Sequence, residues 1–218
     1  MPDTSAEPSR SRPQGPAGEQ TALIVVDMQN SYFEFPELAA EQETVLAAVN
    51  ELLAAARDGG RPVVLVRTEH ARDRSTWTLN MLEDDQGFAF PCTEQARLLT
   101  DLQTEGCDTL EIVKTRDSAF HGTSLAEDLR QRGVGRVLLC GISTHSCVAQ
   151  TAINAFAHQF HAAVAVDAVA SEDPDLSTAL LRFLEKEMRQ PMLDQSAAVA
   201  ALRGDGPTSA ASDDAASH

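Results

Sequence analysis

Asp27, Lys114 and Cys147 lie far apart in the chain, yet their types together can cleave an acyl bond. Each follows an apolar run: Leu-Ile-Val-Val before Asp27, Ile-Val before Lys114, and Val-Leu-Leu-Cys-Gly a few residues before Cys147. A thiol attacks only once its proton is removed, so it needs a base or a lowered pKa. Cys147 stands where a turn of small residues opens into a helix. The helix dipole and the free N–H groups there favour thiolate, and the N–H groups of 142–147 would also bind an oxyanion. Asp27, with its pKa raised, would take the thiol proton, hand it to a leaving amine, and later activate the water that releases the acid from a thioester. Lys114 would hold these charges in place. Singly, each residue has a plainer reading: Asp27 as a turn cap, Lys114 as a surface ion-pair partner, Cys147 as a small buried hydrophobe.

The elements around them decide between these readings. Continuous apolar runs at Ala22–Val26, Pro62–Arg67, Thr109–Val113, Arg136–Cys140 and Ala162–Val169 predict strands, most of them buried on both faces. Between them, helices are expected over Glu41–Arg57, stopped by Gly59-Gly60, over Thr93–Leu102, and over Thr123–Arg132, capped by Thr123 or Ser124. Two more follow, over His145–His158 and over Pro174–Met188, the latter with proline in its first turn. A last strand and helix are expected within 192–202. The alternation predicts an α/β fold of three layers, α-β-α, around a mostly parallel, Rossmann-like sheet of five or six strands. In such sheets ligands bind at the carboxyl ends of the strands. Asp27, Lys114 and the Cys147 turn all fall there, which places them on one rim.

Three blocks carry a resemblance. Leu-Ile-Val-Val-Asp-Met-Gln-Asn (23–30), Val-Lys-Thr-Arg-Asp-Ser-Ala-Phe (113–120) and Gly-Ile-Ser-Thr-His-Ser-Cys-Val (141–148) resemble the signature blocks of the isochorismatase-like cysteine hydrolases. That superfamily includes nicotinamidases, N-carbamoylsarcosine amidases, ureidoacrylate amidohydrolases and streptothricin hydrolase. The resemblance covers roughly 20–190. It implies an Asp27–Lys114–Cys147 triad and a cis peptide at Ile142–Ser143 that turns a backbone N–H toward the oxyanion, with the Cys147 N–H beside it. It also implies a homo-oligomer, dimer or tetramer. True isochorismatases, which cleave a vinyl ether, lack the cysteine, so its presence favours acyl transfer. Nicotinamidases carry an Asp-x-His metal motif after the second strand. Thr68-Glu69-His70 stands there instead, with no second histidine nearby, so no metal and no cofactor are expected.

The resulting expectation is a cysteine hydrolase that splits a C–N bond of a small amide, lactam or ureido compound, with water as the second substrate. The rival readings are a vinyl ether hydrolase and a catalytically silent binding or scaffold member of the fold. Tyr32 and Phe33 either wall the pocket or pack in the core. Trp77, in the long irregular stretch 68–91, is a candidate to stack on substrate. Phe120 and His121 line the pocket or, for Phe120, fill the core. His145 binds substrate or faces solvent. Arg67, Arg72 and Arg74 offer a carboxylate site, and Glu83-Asp84-Asp85 a cation-attracting one, unless both simply solvate the loop.

The bulk composition sets outer bounds. A chain of 218 residues with 43% hydrophobic content supports one domain with a full core. Its formal net charge of −16 argues against nucleic acid as a partner. No run approaches the roughly 18 apolar residues of a membrane span. Cys92, Cys107, Cys140 and Cys147 show neither CxxC pairs nor dense spacing, so free thiols in a cytoplasmic protein are expected. The domain is expected over 20–202, between a Pro-rich disordered leader (1–19) and a disordered Gly/Ser/Ala/Asp tail (203–218).

Overall fold

The computed structural model describes residues 18–204. The expected leader and tail therefore lie outside the described residues, apart from 18–19 and 203–204, and Arg203 closes a helix rather than opening a tail.

Six strands form one sheet: β1 (Gln20–Val26), β2 (Val63–Thr68), β3 (Thr109–Lys114), β4 (Val134–Ile142), β5 (His161–Ala170) and the two-residue β6 (Met192–Leu193). Their spatial order is β3-β2-β1-β4-β5-β6, and every pairing is parallel. The helices are α1 (Pro36–Asp58), α2 (Leu79–Glu83), α3 (Leu125–Gln131), α4 (Ala149–Ala157), α5 (Pro174–Met188) and α6 (Gln195–Arg203).

Side chains alternate across each strand, so the central strands feed two cores. Leu23 and Val25 of β1 with Leu138 and Cys140 of β4 meet Val45, Val49, Leu52 and Leu53 of α1 and Leu202 of α6. Ile24 and Val26 with Val64, Val66, Ile112 and Leu139 meet Leu125 and Leu129 of α3, Ala152 and Ala155 of α4, and Leu184 of α5. This is the α-β-α sandwich that the alternation predicts.

Several elements differ from expectation. Helix α1 begins at Pro36, where the fixed φ of proline suits a first turn. Helix α2 interrupts the long irregular stretch, and Thr78 caps it by accepting from Met81 N–H at 3.4 Å. Residues 93–102 are not a helix but a series of turns. Their backbone groups are taken by the segment after β1: Asn30 N–H donates to Arg97 O, Ser31 N–H to Gln95 O, and Leu99 N–H to Met28 O. Gln29 adds a side-chain bond to Ala96 O at 2.8 Å. A backbone engaged in this way cannot close i→i−4 bonds. At α3, Ser124 occupies the cap position, but its hydroxyl bonds Asp128, while Thr123 Oγ1 accepts from Leu125 N–H.

Candidate active site

Strand parity brings the site together. Lys114 follows Ile112 by two residues on β3, and Thr68 follows Val66 by two on β2, so all four face the α3/α4 layer. Thr68 and Lys114 lie opposite each other in register. Asp27 begins the chain beyond β1, with its N–H on Val66 O. Adjacent strands are about 4.8 Å apart, so Lys114 must reach over β2 to meet Asp27. It does so across the short Thr68 side chain. Its Nζ lies 2.7 Å from Asp27 Oδ2, donates to Thr68 Oγ1 at 2.7 Å, and donates to Cys147 Sγ at 3.3 Å. Thr68 Oγ1 in turn donates to Asp27 Oδ1 at 3.1 Å. Asp27, Lys114 and Cys147 are all buried.

Cys147 arrives from β4 through a bend. Gly141, at φ +104°, passes so close to β1 that a Cβ there would meet Val26 O at 2.1 Å. The Ile142–Ser143 peptide bond is cis. Residues Thr144–Val148 then form a π turn, and α4 starts only at Ala149. Ser143 O accepts from Ser146 and Val148 N–H at 3.2 and 3.1 Å, skipping the Cys147 N–H between them.

The electrostatics correct the thiolate expectation. Burial pushes the Cys147 thiol well above its ordinary pKa, and the Asp27 carboxylate raises it further, while Lys114 only partly opposes them. The thiol therefore rests protonated. For Lys114, burial works against the ammonium, but the Asp27 carboxylate, with the Cys147 sulfur as a further partner, outweighs it and the pKa is raised. Asp27 Oδ1 takes the Thr68 hydroxyl, whereas Oδ2, though beside the ammonium, receives no directed hydrogen bond.

The other candidates separate. Tyr32 is at the site: burial, Asp27 and Cys147 all push its phenol up, and the Thr68 side chain beside it pulls it down. Its ring meets Phe88 edge-on at 5.7 Å. Phe33 is a core residue on the α1 side. Trp77 is buried and tied within its own loop, donating from Nε1 to Ala71 O at 2.9 Å and packing on Phe90. Phe120 stacks on His158 and packs against Phe160, and His121 is exposed. The His145 ring is held by Ser171 Oγ at 2.6 Å. Arg67 is paired with Glu69 and Glu111, Arg74 with Asp85, and Arg72 lies over Phe90.

Four contributors were not expected: Thr68, Gln29, Phe88 and Arg116. Thr68 carried a usable signal, since it ends the strand between those of Asp27 and Lys114. Gln29 locks that strand end, donating to Thr68 O at 2.9 Å and accepting from Thr68 N–H at 2.7 Å. Phe88 lies between Tyr32 and His70. Arg116 donates to Thr76 O at 2.7 Å, the same carbonyl that lies 3.1 Å from His70 Nδ1. Burial lowers the His70 pKa, against the Thr76 carbonyl and with Arg116 and Lys114, so its ring is neutral near pH 7. Among the described residues, no three His, Cys, Asp or Glu side chains gather where they could hold a metal. His70 and Glu69, already engaged, do not fit the role of a nicotinamidase-type metal set.

A parallel sheet with this site on its rim points to a class, and sequence comparison supplies it. The isochorismatase domain family matches residues 21–196. The chain belongs to that family. It is 33% identical over 168 residues to a "probable inactive nicotinamidase" of Arabidopsis thaliana, covering 73% of this chain and 85% of the relative. It is 26% identical over 198 residues to the ureidoacrylate amidohydrolase RutB of Pseudomonas syringae pv. syringae, covering 81% of each. Among solved structures, an isochorismatase family protein from Desulfovibrio vulgaris superposes with a TM-score of 0.72 at 29% identity, over 84% of this chain and 98% of that one. The family thus includes amidohydrolases. Among the described residues no helix is long and apolar enough to cross a membrane.

Proposed function

We propose that the protein is a cysteine hydrolase that cleaves a C–N bond of a small amide, lactam or ureido compound through a thioester on Cys147. The observation that carries this reading is the buried cluster in which one ammonium touches Asp27, Thr68 and the Cys147 sulfur. Packing alone has no use for these three polar contacts, and a buried ion pair is a costly way to stabilise a fold.

In this reading the Cys147 thiol gives its proton to Asp27 Oδ2 as the sulfur bonds to the carbonyl carbon. The carbonyl π pair moves to oxygen, and the oxyanion is bound by the backbone N–H groups of Cys147 and Ser143. Collapse breaks the C–N bond, and the amine leaves with the proton held on Asp27. A water then gives a proton to Asp27 and attacks the thioester, and the acid and the thiol are regenerated. Lys114 stays an ammonium throughout and offsets the charge that alternates between Asp27 and sulfur. Tyr32, packed edge-on against Phe88, stands beside the cluster.

The reading includes a homo-oligomer, dimer or tetramer, in the cytoplasm; the four cysteines are unpaired, as a reducing compartment requires. The relative named as an inactive nicotinamidase supplies the competing reading, a silent member of the fold. A panel of amides, ureido acids and lactams, followed by mass spectrometry of the intact protein, separates the two. The expected result is turnover of at least one compound and an acyl mass on Cys147 that Cys147→Ala abolishes. Turnover that survives Cys147→Ala overturns the proposal.

A further inference from the structure

The turn that carries Cys147 is gripped from outside by the end of the neighbouring strand. Three consecutive residues at the start of the turn, 143–145, pair with the last residue of β5 and the two that follow it, 170–172. Ser143 Oγ donates to Glu172 Oε2 at 2.5 Å, Thr144 Oγ1 donates to Ala170 O at 3.0 Å, and His145 Nδ1 lies 2.6 Å from Ser171 Oγ. The other carboxylate oxygen of Glu172, Oε1, is 3.7 Å from His145 Nε2. Ser171 is itself fixed, its hydroxyl donating to Asp173 O and accepting from Asp173 N–H, both at 3.1 Å. With its hydrogen so committed, the Ser171 oxygen accepts from Nδ1–H of His145.

Ser143 is the pivot of the π turn, because its carbonyl takes the Ser146 and Val148 N–H groups. Whatever fixes Ser143 therefore fixes the backbone on both sides of Cys147. Glu172 fixes Ser143 with a charge-assisted bond, while its second oxygen stays 3.7 Å from His145 Nε2, beyond hydrogen-bond reach. Its side chain is 37% exposed, so water screens its charge from the buried cluster and its effect is geometric.

We propose that Glu172 is a positioning residue: it holds Ser143 so that the Cys147 sulfur and the N–H groups of Ser143 and Cys147 keep the geometry that acyl transfer needs. The inference rests on the cysteine-hydrolase reading. None of the 170–172 residues touches the sulfur; they act through the turn.

The probe is 4-nitrophenyl acetate. Its acyl group forms the S–C bond to Cys147, its C–O bond breaks, 4-nitrophenolate leaves, and the thiol proton passes through Asp27 to solvent. A burst expected in wild type and absent from Cys147→Ala reports acylation. Glu172→Ala is expected to slow the burst about tenfold with little change in half-saturating concentration. Glu172→Gln, which keeps an oxygen for Ser143, retains most of the rate. Ser143→Ala falls as far as Glu172→Ala, and the double variant falls no further. Backbone hydrogen exchange across 143–148 is expected to quicken in Glu172→Ala and not in Glu172→Gln.

A wild-type burst rate and unchanged exchange in Glu172→Ala overturn the inference, as does a lowered melting temperature with the burst rate per folded molecule intact. If Glu172→Ala fails to fold, Ser143→Ala removes the same bond and carries both readouts. If wild type itself gives no Cys147-dependent burst, the hydrolase reading fails, and the exchange comparison still decides whether Glu172 holds the turn.

Discussion

At the scale of single residues, the site turns on Asp27 having two opposed effects on Cys147. Burial holds the thiol protonated and the Asp27 charge adds to that hold, while the same carboxylate is the proton acceptor in the proposed attack. Asp27→Asn removes both. Thiolate, followed by its ultraviolet absorbance, is expected to appear at lower pH than in wild type, while acylation falls by about 10²–10⁴-fold. A variant whose thiol ionises more easily yet reacts more slowly separates a base from a mere neighbour. Thr68 links the other two members. Thr68→Val keeps the shape but leaves Lys114 and Asp27 each short of a partner, and is expected to cost about 1–3 kcal/mol in urea unfolding together with a loss of acylation. The three ionisable members were legible in the sequence because their types are reactive and each stands after an apolar run. Tyr32 was legible by its nearness to Asp27. Thr68 was passed over because threonine is common at strand ends and carries no charge. Residue type alone decides little for Trp77, Phe120 and His121: Trp77 is tied within its own loop, Phe120 takes the packed alternative expected for it, and His121 is exposed.

At the scale of elements, the strands and long helices followed from apolar pattern alone, and Pro174–Met188 matches in both bounds. The turns at 93–102 were not legible, because their hydrogen bonds go to residues 28–31, nearly seventy positions away, and local pattern carries no trace of that. The bend before Cys147 depends on β4 touching β1 backbone to backbone. Gly141→Ala would set a Cβ 2.1 Å from Val26 O at a left-handed φ, and no side-chain rotation can relieve it. Gly60, also at positive φ but with nothing within 4 Å of its Cβ, is the matched control. Gly60→Ala is expected to cost about 1–2 kcal/mol, and Gly141→Ala distinctly more, with loss of acylation in the Gly141 variant alone. Urea midpoints and burst rates on the two proteins check this.

At the scale of the whole molecule, burial gives the fold a particular response to base. The thiols of Cys147 and Cys140 are both pushed up by burial, and the Tyr32 phenol is raised by burial and by Asp27. In the unfolded chain these thiols ionise near their ordinary value of 9.0, while in the fold they keep their protons. Their contribution is therefore complete below about pH 9 and is lost as pH rises, by up to about 1.4 kcal/mol per group per pH unit. The raised Lys114 has the same sign at higher pH. Urea midpoints are expected to fall between pH 9 and 10.5, and replacing Cys140 with alanine should flatten that fall even as it lowers the midpoint at pH 7.

Lys114 has one more consequence, for solubility rather than chemistry. It ends β3, which among the described residues is an edge strand paired only with β2, and it points inward. Open edges recruit strands from other chains, and an inward-pointing charge opposes such docking; in the fold Lys114 is already buried and paired with Asp27, so its charge guards the edge only in the folding chain, before that pair has formed. The lysine that steadies the sulfur in the fold thus makes β3 a poor template for a stranger while the chain is still folding. Lys114→Met is expected to lose acylation and, on refolding from urea, to scatter more light than Asp27→Asn at equal concentration.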